Sequence, residues 1–188
     1  MAAAPEDIPF DPSALIRIGV IATVDLGAAT CTVTIGDPDE DPIETPPLRW
    51  LAPRAGDTRV WSPPTVGEQA IVLCAEGELA AGIVLLGIVQ TAFPPAGDSL
   101  AELIAFADGA VLQYDPEGHE LRAELPAGSI VHITADQVHV VGNVSIDGDL
   151  TITGTATADV DVVGGGKSLK DHKHLGVTAG GGVSGKPE

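Results

Sequence analysis

Between residues 131 and 162 the apolar side chains come in pairs two apart: Val131/Ile133, Val138/Val140, Val144/Ile146, Leu150/Ile152, Ala156/Ala158 and Val160/Val162. Gly142, Gly148 and Gly154 punctuate the middle of the run at intervals of six. A spacing of two puts both members of a pair on one face of a strand and the residue between them on the other. The repeating unit is therefore a short strand followed by a tight turn. Such strands cannot cover their apolar face alone. Either one chain coils into a β-helix or several chains wind around a common axis. The run is short for a lone solenoid, has no capping element, and shrinks to alanine at Ala156 and Ala158. These features predict an intertwined homotrimer, in which the three-fold axis supplies the missing core and the needle tapers toward its C-terminus.

The first half of the chain has a different grammar. Asp11 to Arg17 offers a short helix start, with Asp11 as N-cap and Pro12 in the first turn. Ile18 to Val24 and Thr30 to Ile35 read as β-branched strands with Gly27 in the turn between them. Gly36 opens an acid- and proline-rich loop. Its Asp37, Asp39 and Asp41 imitate the start of a calcium loop, but Pro38 and Pro42 interrupt it and Leu48 stands where a bidentate Glu is needed, so it reads as a solvated loop. Gln69 to Ala75 and Gly82 to Gln90 follow as two strands joined at Glu76-Gly77-Glu78. Four or five strands with one long loop suit a small closed barrel of the OB type. The segment Thr91 to Asp98 reads as a linker. Ala110 to Tyr114 and Glu120 to Leu125 flank Asp115-Pro116-Glu117-Gly118, a type I turn signature, and form a hairpin. The expected organisation is all-β: an N-terminal segment 1–15, an OB-fold barrel 16–91, a linker 92–98, a trimeric β-helix shaft 99–165 and a tip 166–188.

Charge and composition exclude several classes. The formal net charge of −18 opposes nucleic-acid binding, which needs a basic surface, and opposes an electrostatic membrane anchor. The hydrophobic share of 44% is enough for a core, while aromatics at 3% leave that core to Ala, Val, Ile and Leu. Residues 166–188 carry four lysines against Asp171 and Glu188, net +2, which leaves −20 on the remainder. The N-terminal residues show no positively charged region followed by an apolar one, and the longest apolar stretch, Ala80 to Val89, is ten residues, too short to span a bilayer. Cys31 and Cys74 each sit in an apolar run and read as buried, reduced thiols, as expected of a chain made in a cytoplasm.

No catalytic constellation stands out. There is no nucleophile elbow, no zinc-protease motif and no phosphate loop; Gly164-Gly165-Gly166-Lys167-Ser168 lacks the spaced first glycine and a following helix. His132 and His139 fall on the face opposite the apolar pairs, and Asp136, Asp147, Asp149, Asp159 and Asp161 point outward or lie in turns. The exception is Asp171-His172-Lys173-His174. Two histidines two apart face the same side of a strand. In a parallel trimer, His172 and His174 of three chains bring six imidazole nitrogens to one axis. Zinc prefers four ligands, so a six-nitrogen set favours iron or nickel.

The pattern resembles the central spike proteins of contractile phage tails, the baseplate assembly protein V family. In the first half the resemblance rests on Arg49-Trp50, Ala55-Gly56, Trp61, Pro64, Val66-Gly67-Glu68-Gln69, Gly77-Glu78-Leu79 and Gly82. In the last part it rests on His172-Lys173-His174, Gly180-Gly181-Gly182 and Ser184-Gly185-Lys186-Pro187. The resemblance implies an OB-fold, then a trimeric β-helical needle, with one iron per trimer held by His172 and His174 of each chain. It implies a non-enzymatic part at the tip of the virion tail baseplate, synthesised in the host cytoplasm. The barrel would join the baseplate hub proteins, and the needle would breach the host outer membrane when the sheath contracts. Some members also hold calcium or chloride near the tip; no ligands for either stand out here. Two other readings compete. A receptor-binding fibre tip or adhesin would want exposed aromatics at its end, and residues 164–188 contain none. A trimeric hexapeptide-repeat acyltransferase would share the six-residue glycine spacing, but needs one aliphatic per six over many turns; coenzyme A binding would discriminate it.

Overall fold

The computed structural model describes residues 14–37, 39–173 and Gly180. The chain divides into two compact units, Met1–Val131 and His132–Glu188. In the first unit, β1 (Ile16–Asp25) and β2 (Thr30–Ile35) form an antiparallel hairpin, with Gly19 opposite Ile35 and Asp25 opposite Thr30. Asp25 closes its turn: Oδ1 accepts from the backbone N–H of Gly27 and of Ala28, both at 2.9 Å. β3 (Ile43–Glu44) lies along the outer edge of β2, and β5 (Gln69–Leu73) pairs antiparallel with the other side of β1. β6 (Ile83–Leu85) continues from β5, and β4 (Arg49–Trp50) pairs with β6 in parallel, giving the order β3-β2-β1-β5-β6-β4.

The sheet closes on itself. Leu48, just before β4, exchanges both backbone hydrogen bonds with Cys31 of β2, at 2.8 and 2.9 Å. The ring β1-β2-β4-β6-β5 is thus continuous. A register shift between Ile21 and Thr23 gives β1 the extra coil that closure requires. Alternation then fills the barrel: Ile21, Cys31, Val33, Leu48, Ala70, Val72, Cys74 and Val84 make the core, with Trp50 packed against it. Gly19 marks the tightest approach, because a Cβ there would stand 2.4 Å from the Thr34 carbonyl oxygen. Both cysteines are buried and free, as expected, and burial pushes the Cys31 thiol up, away from reactivity.

Several expected boundaries move. Of the proposed helix start, Asp11 to Ser13 lie outside the described residues, while Ile16 and Arg17 already pair with Leu73 and Val72 as strand. The strand expected to reach Ala75 ends at Leu73, and Ala75–Gly77 and Leu79–Ala81 form single 3₁₀ turns. The strand expected over Gly82 to Gln90 is only Ile83–Leu85: Gly87 takes a φ of +100°, and Gln90 and Phe93 exchange backbone hydrogen bonds in a turn. β3 and β4, two residues each, leave no periodicity for a sequence reading to find.

Beyond the barrel lies a three-stranded meander, β7 (Glu102–Ala105), β8 (Val111–Asp115) and β9 (Glu120–Glu124). The expected β8–β9 hairpin is there, with Asp115 Oδ1 accepting from Glu117 N–H at 2.9 Å in its turn. β7 is an addition. Its turn is fixed by Phe106 N–H to the Ala110 carbonyl and by the Asp108 carboxylate accepting from Ala110 N–H. Among its described residues the second unit holds one small hairpin, β10 (Val163–Gly164) and β11 (Lys167–Ser168). Among the described residues no helix is long and apolar enough to cross a membrane.

Candidate functional site

The six-residue repeat is visible in the backbone. Bends fall at Asp136, Gly142, Asp147–Gly148, Thr153–Gly154 and Asp159–Val160, with φ of +141° at Gly142 and +143° at Gly148. Those values suit glycine and strain any residue bearing a Cβ. Between the bends the chain is extended. Among the described residues no strand ladder and no backbone–backbone hydrogen bond joins any part of 131–160 to another. The ten large aliphatics of the pairs are 50–81% exposed. Backbone groups and apolar side chains alike are offered outward.

The far end of the repeat is tied off by Asp161. Its Oδ1 accepts from Val162 N–H at 2.8 Å and Lys170 N–H at 3.2 Å. The Ser168 hydroxyl, with the backbone N–H groups of Lys170, Val162 and Leu169, holds the Asp161 carboxyl below the ordinary carboxylate value. Gly165 and Gly166, at φ +58° and +77°, make the two-residue turn between β10 and β11. Ser168 Oγ then accepts from Asp171 N–H at 2.8 Å. This places His172 just past a turn rather than in a strand, with Nδ1 donating to the Leu169 carbonyl at 2.9 Å. A backbone carbonyl thus orients one ring nitrogen of His172, as carbonyls commonly orient imidazoles that ligate metals. The donor chemistry at His172 therefore fits a metal ligand. His174 lies outside the described residues, as do residues 175–179 and 181–188 of the tip. Within one chain the described residues contain no group of three candidate ligands.

Elsewhere, the barrel carries a cleft of about 500 Å³ that sequence reading did not single out. Trp50 of β4 and Trp61 stand with ring centroids 5.5 Å apart, tilted by 56°. Arg49, Arg54 and Arg59 line the same cleft, with Ala28 and Ala29 from the β1–β2 turn. Arg54 and Val60 are joined by a backbone hydrogen bond of 3.0 Å, and Ala55 bridges to Arg59, so the 51–61 segment is a tied loop. The available signal was composition: three of the five arginines and both tryptophans fall within the thirteen residues 49–61. The acidic loop keeps its carboxylates exposed, and Asp37 Oδ1 accepts from Asp39 N–H at 3.0 Å.

A closed five-stranded barrel, strongly coiled by a bulge in its first strand, is the architecture of the OB class. Residues 17–88 match the family described as the type VI secretion system/phage-baseplate injector OB domain. The similarity extends well past the barrel: the chain is 35% identical over 201 aligned residues to the "Spike protein" of Escherichia phage P2, covering 92% of this chain and 92% of that relative. The chain belongs to the phage-baseplate spike family.

Proposed function

We propose that this protein is the central spike at the tip of a contractile tail baseplate, a mechanical part and not an enzyme. Residues 16–91 attach it to hub proteins of the baseplate. Residues 99–165 of three chains wind into a β-helical needle, and residues 166–188 form the point that breaches the host outer membrane. The observation that carries this reading is the extended stretch 131–160, whose backbone groups and paired aliphatics find no partner within the described chain. Three copies around an axis would supply both. Covering each Val, Ile or Leu is worth about 1.5–3 kcal/mol. The barrel's outer face suits attachment: Ile18 lies beside Ile71, and Ile16 beside Leu73 and then Ile83, an apolar row on the side away from the core. No aromatic residue follows Tyr114, which favours a penetrating point over a receptor-reading fibre tip.

At the point, His172 and His174 of three chains would hold one iron, which supplies a six-nitrogen cross-link and leaves no position for a substrate. The chain's own part is to orient the imidazoles: the Leu169 carbonyl fixes the His172 ring, and the Asp161-bound hairpin fixes Leu169. Protons compete with metal for imidazole, so acid releases it. The test is sedimentation equilibrium and metal analysis of the whole chain, beside His172→Ala/His174→Ala. A trimer with one iron, lost in the double variant while the trimer remains, is expected. A stable folded monomer at micromolar concentration refutes the needle, and a metal-free wild type, or a double variant holding as much iron, refutes the metal role.

A further inference from the structure

The Arg–Trp cleft of the barrel is chemically out of place on a chain of net charge −18. Arg49, Arg54 and Arg59 are exposed, and among the described residues the ion pairs are those of Arg122 with Glu120 and Glu124, so no described carboxylate answers the three. Beneath them is an aromatic floor. Trp50 is anchored on the core, while Trp61 is 59% exposed. Guanidinium groups around a tryptophan pair select a ligand with both carboxylates and flat apolar rings, and proline-rich extended segments dock on such aromatic floors.

The same chain displays such a segment. Gly36 to Pro47 contains Asp37, Asp39, Glu40, Asp41 and Glu44 with Pro38, Pro42, Pro46 and Pro47. Its C-terminal part is sewn to its own β2: Glu44 accepts from the Thr32 hydroxyl at 2.9 Å, and Thr45 Oγ1 accepts from Val33 N–H at 2.9 Å. Asp39, Glu40 and Asp41 remain exposed. We propose that the Arg–Trp cleft of one protomer receives the acidic loop 36–47 of a second copy, Arg54 and Arg59 pairing with its carboxylates and Trp61 covering its prolines. This rests on the trimer reading above, because a loop-into-cleft contact is head-to-tail and is satisfied in every copy only when a rotation closes the ring. The contact locks the barrels of the three copies into one register.

The chain has two tryptophans, both in this cleft, so tryptophan emission reads its occupancy alone. The test compares the whole wild-type chain with Asp39→Asn/Glu40→Gln/Asp41→Asn, following emission and sedimentation together. A shift of emission to longer wavelength in the loop variant is expected as Trp61 is uncovered. A synthetic peptide of residues 36–47 added to that variant should restore the emission saturably, less well at high salt, and not at all when Arg54→Gln/Arg59→Gln is also present. A trimeric loop variant with wild-type emission overturns the proposal and leaves the needle standing; if the peptide nonetheless binds, the cleft serves an acidic segment of another protein. Peptide binding indifferent to the arginines also overturns it. A monomeric wild type overturns the trimer reading itself, and with it the ring.

Discussion

Gly19 and Ile21 show how much one side chain decides in a barrel this small. A Cβ at Gly19 would meet the Thr34 carbonyl at 2.4 Å and Val33 Cγ1 at 2.5 Å, so either β1 or β2 must move. Gly19→Ala should cost about 1–3 kcal/mol through strain alone. Ile21, 1% exposed in the centre of the core, should cost about 2–5 kcal/mol as Ile21→Ala. Ile18, on the outer face of the same strand, should change barrel stability by less than about 0.5 kcal/mol when truncated. Denaturant unfolding followed by tryptophan emission checks the set. If Ile18→Ala is as costly as Ile21→Ala, the assignment of inside and outside is wrong.

At the scale of elements, the β10–β11 hairpin hangs on a carboxylate. The Asp161 pKa is lowered from an ordinary 3.8, chiefly by the Ser168 hydroxyl, so the ionised form is the one the folded hairpin prefers. Its contribution is complete above that ordinary value and disappears as pH falls through the lower folded value. Protection of the Val162 and Lys170 amide protons, taken relative to their intrinsic exchange rates, should therefore fall below about pH 4, and Asp161→Asn should remove that dependence. Amide exchange that ignores both changes would show the carboxylate to be a bystander. The meander β7–β9 teaches a different lesson: Arg122 reaches Glu120 and Glu124 on its own strand at 3.3 and 3.2 Å. All three are exposed, and such pairs contribute little to stability.

For the whole molecule, the two faces of the repeat should behave oppositely. Ile146 belongs to an apolar pair and Ser145 to the other face. In a needle of three chains, Ile146→Asp sets three carboxylates around one axis without partners, which should abolish the trimer. Ser145→Asp should leave it intact. Sedimentation of both variants decides the matter, and equal behaviour would mean that the pairs do not face an axis.

The β-branched runs Ile18 to Val24 and Thr30 to Ile35, the turn residues at Asp115–Gly118 and the glycines every six residues were legible because strands and tight turns are local. They sufficed for an all-β chain, a barrel and a six-residue repeat. His172 was legible as a candidate, but its orientation was not, because the Asp161 hairpin and the Leu169 carbonyl that set it are fixed by folding. The closure of the barrel was not legible either. It depends on Leu48, in a stretch with no strand period of its own, meeting Cys31 seventeen residues earlier. The cleft follows from that closure: β4 is two residues long and exists because β6 lies alongside it, and only then do Trp50 and Trp61 face each other among three arginines. Local alternation is written in neighbouring residues, whereas long-range pairing is settled by which buried surfaces fit once the chain has folded.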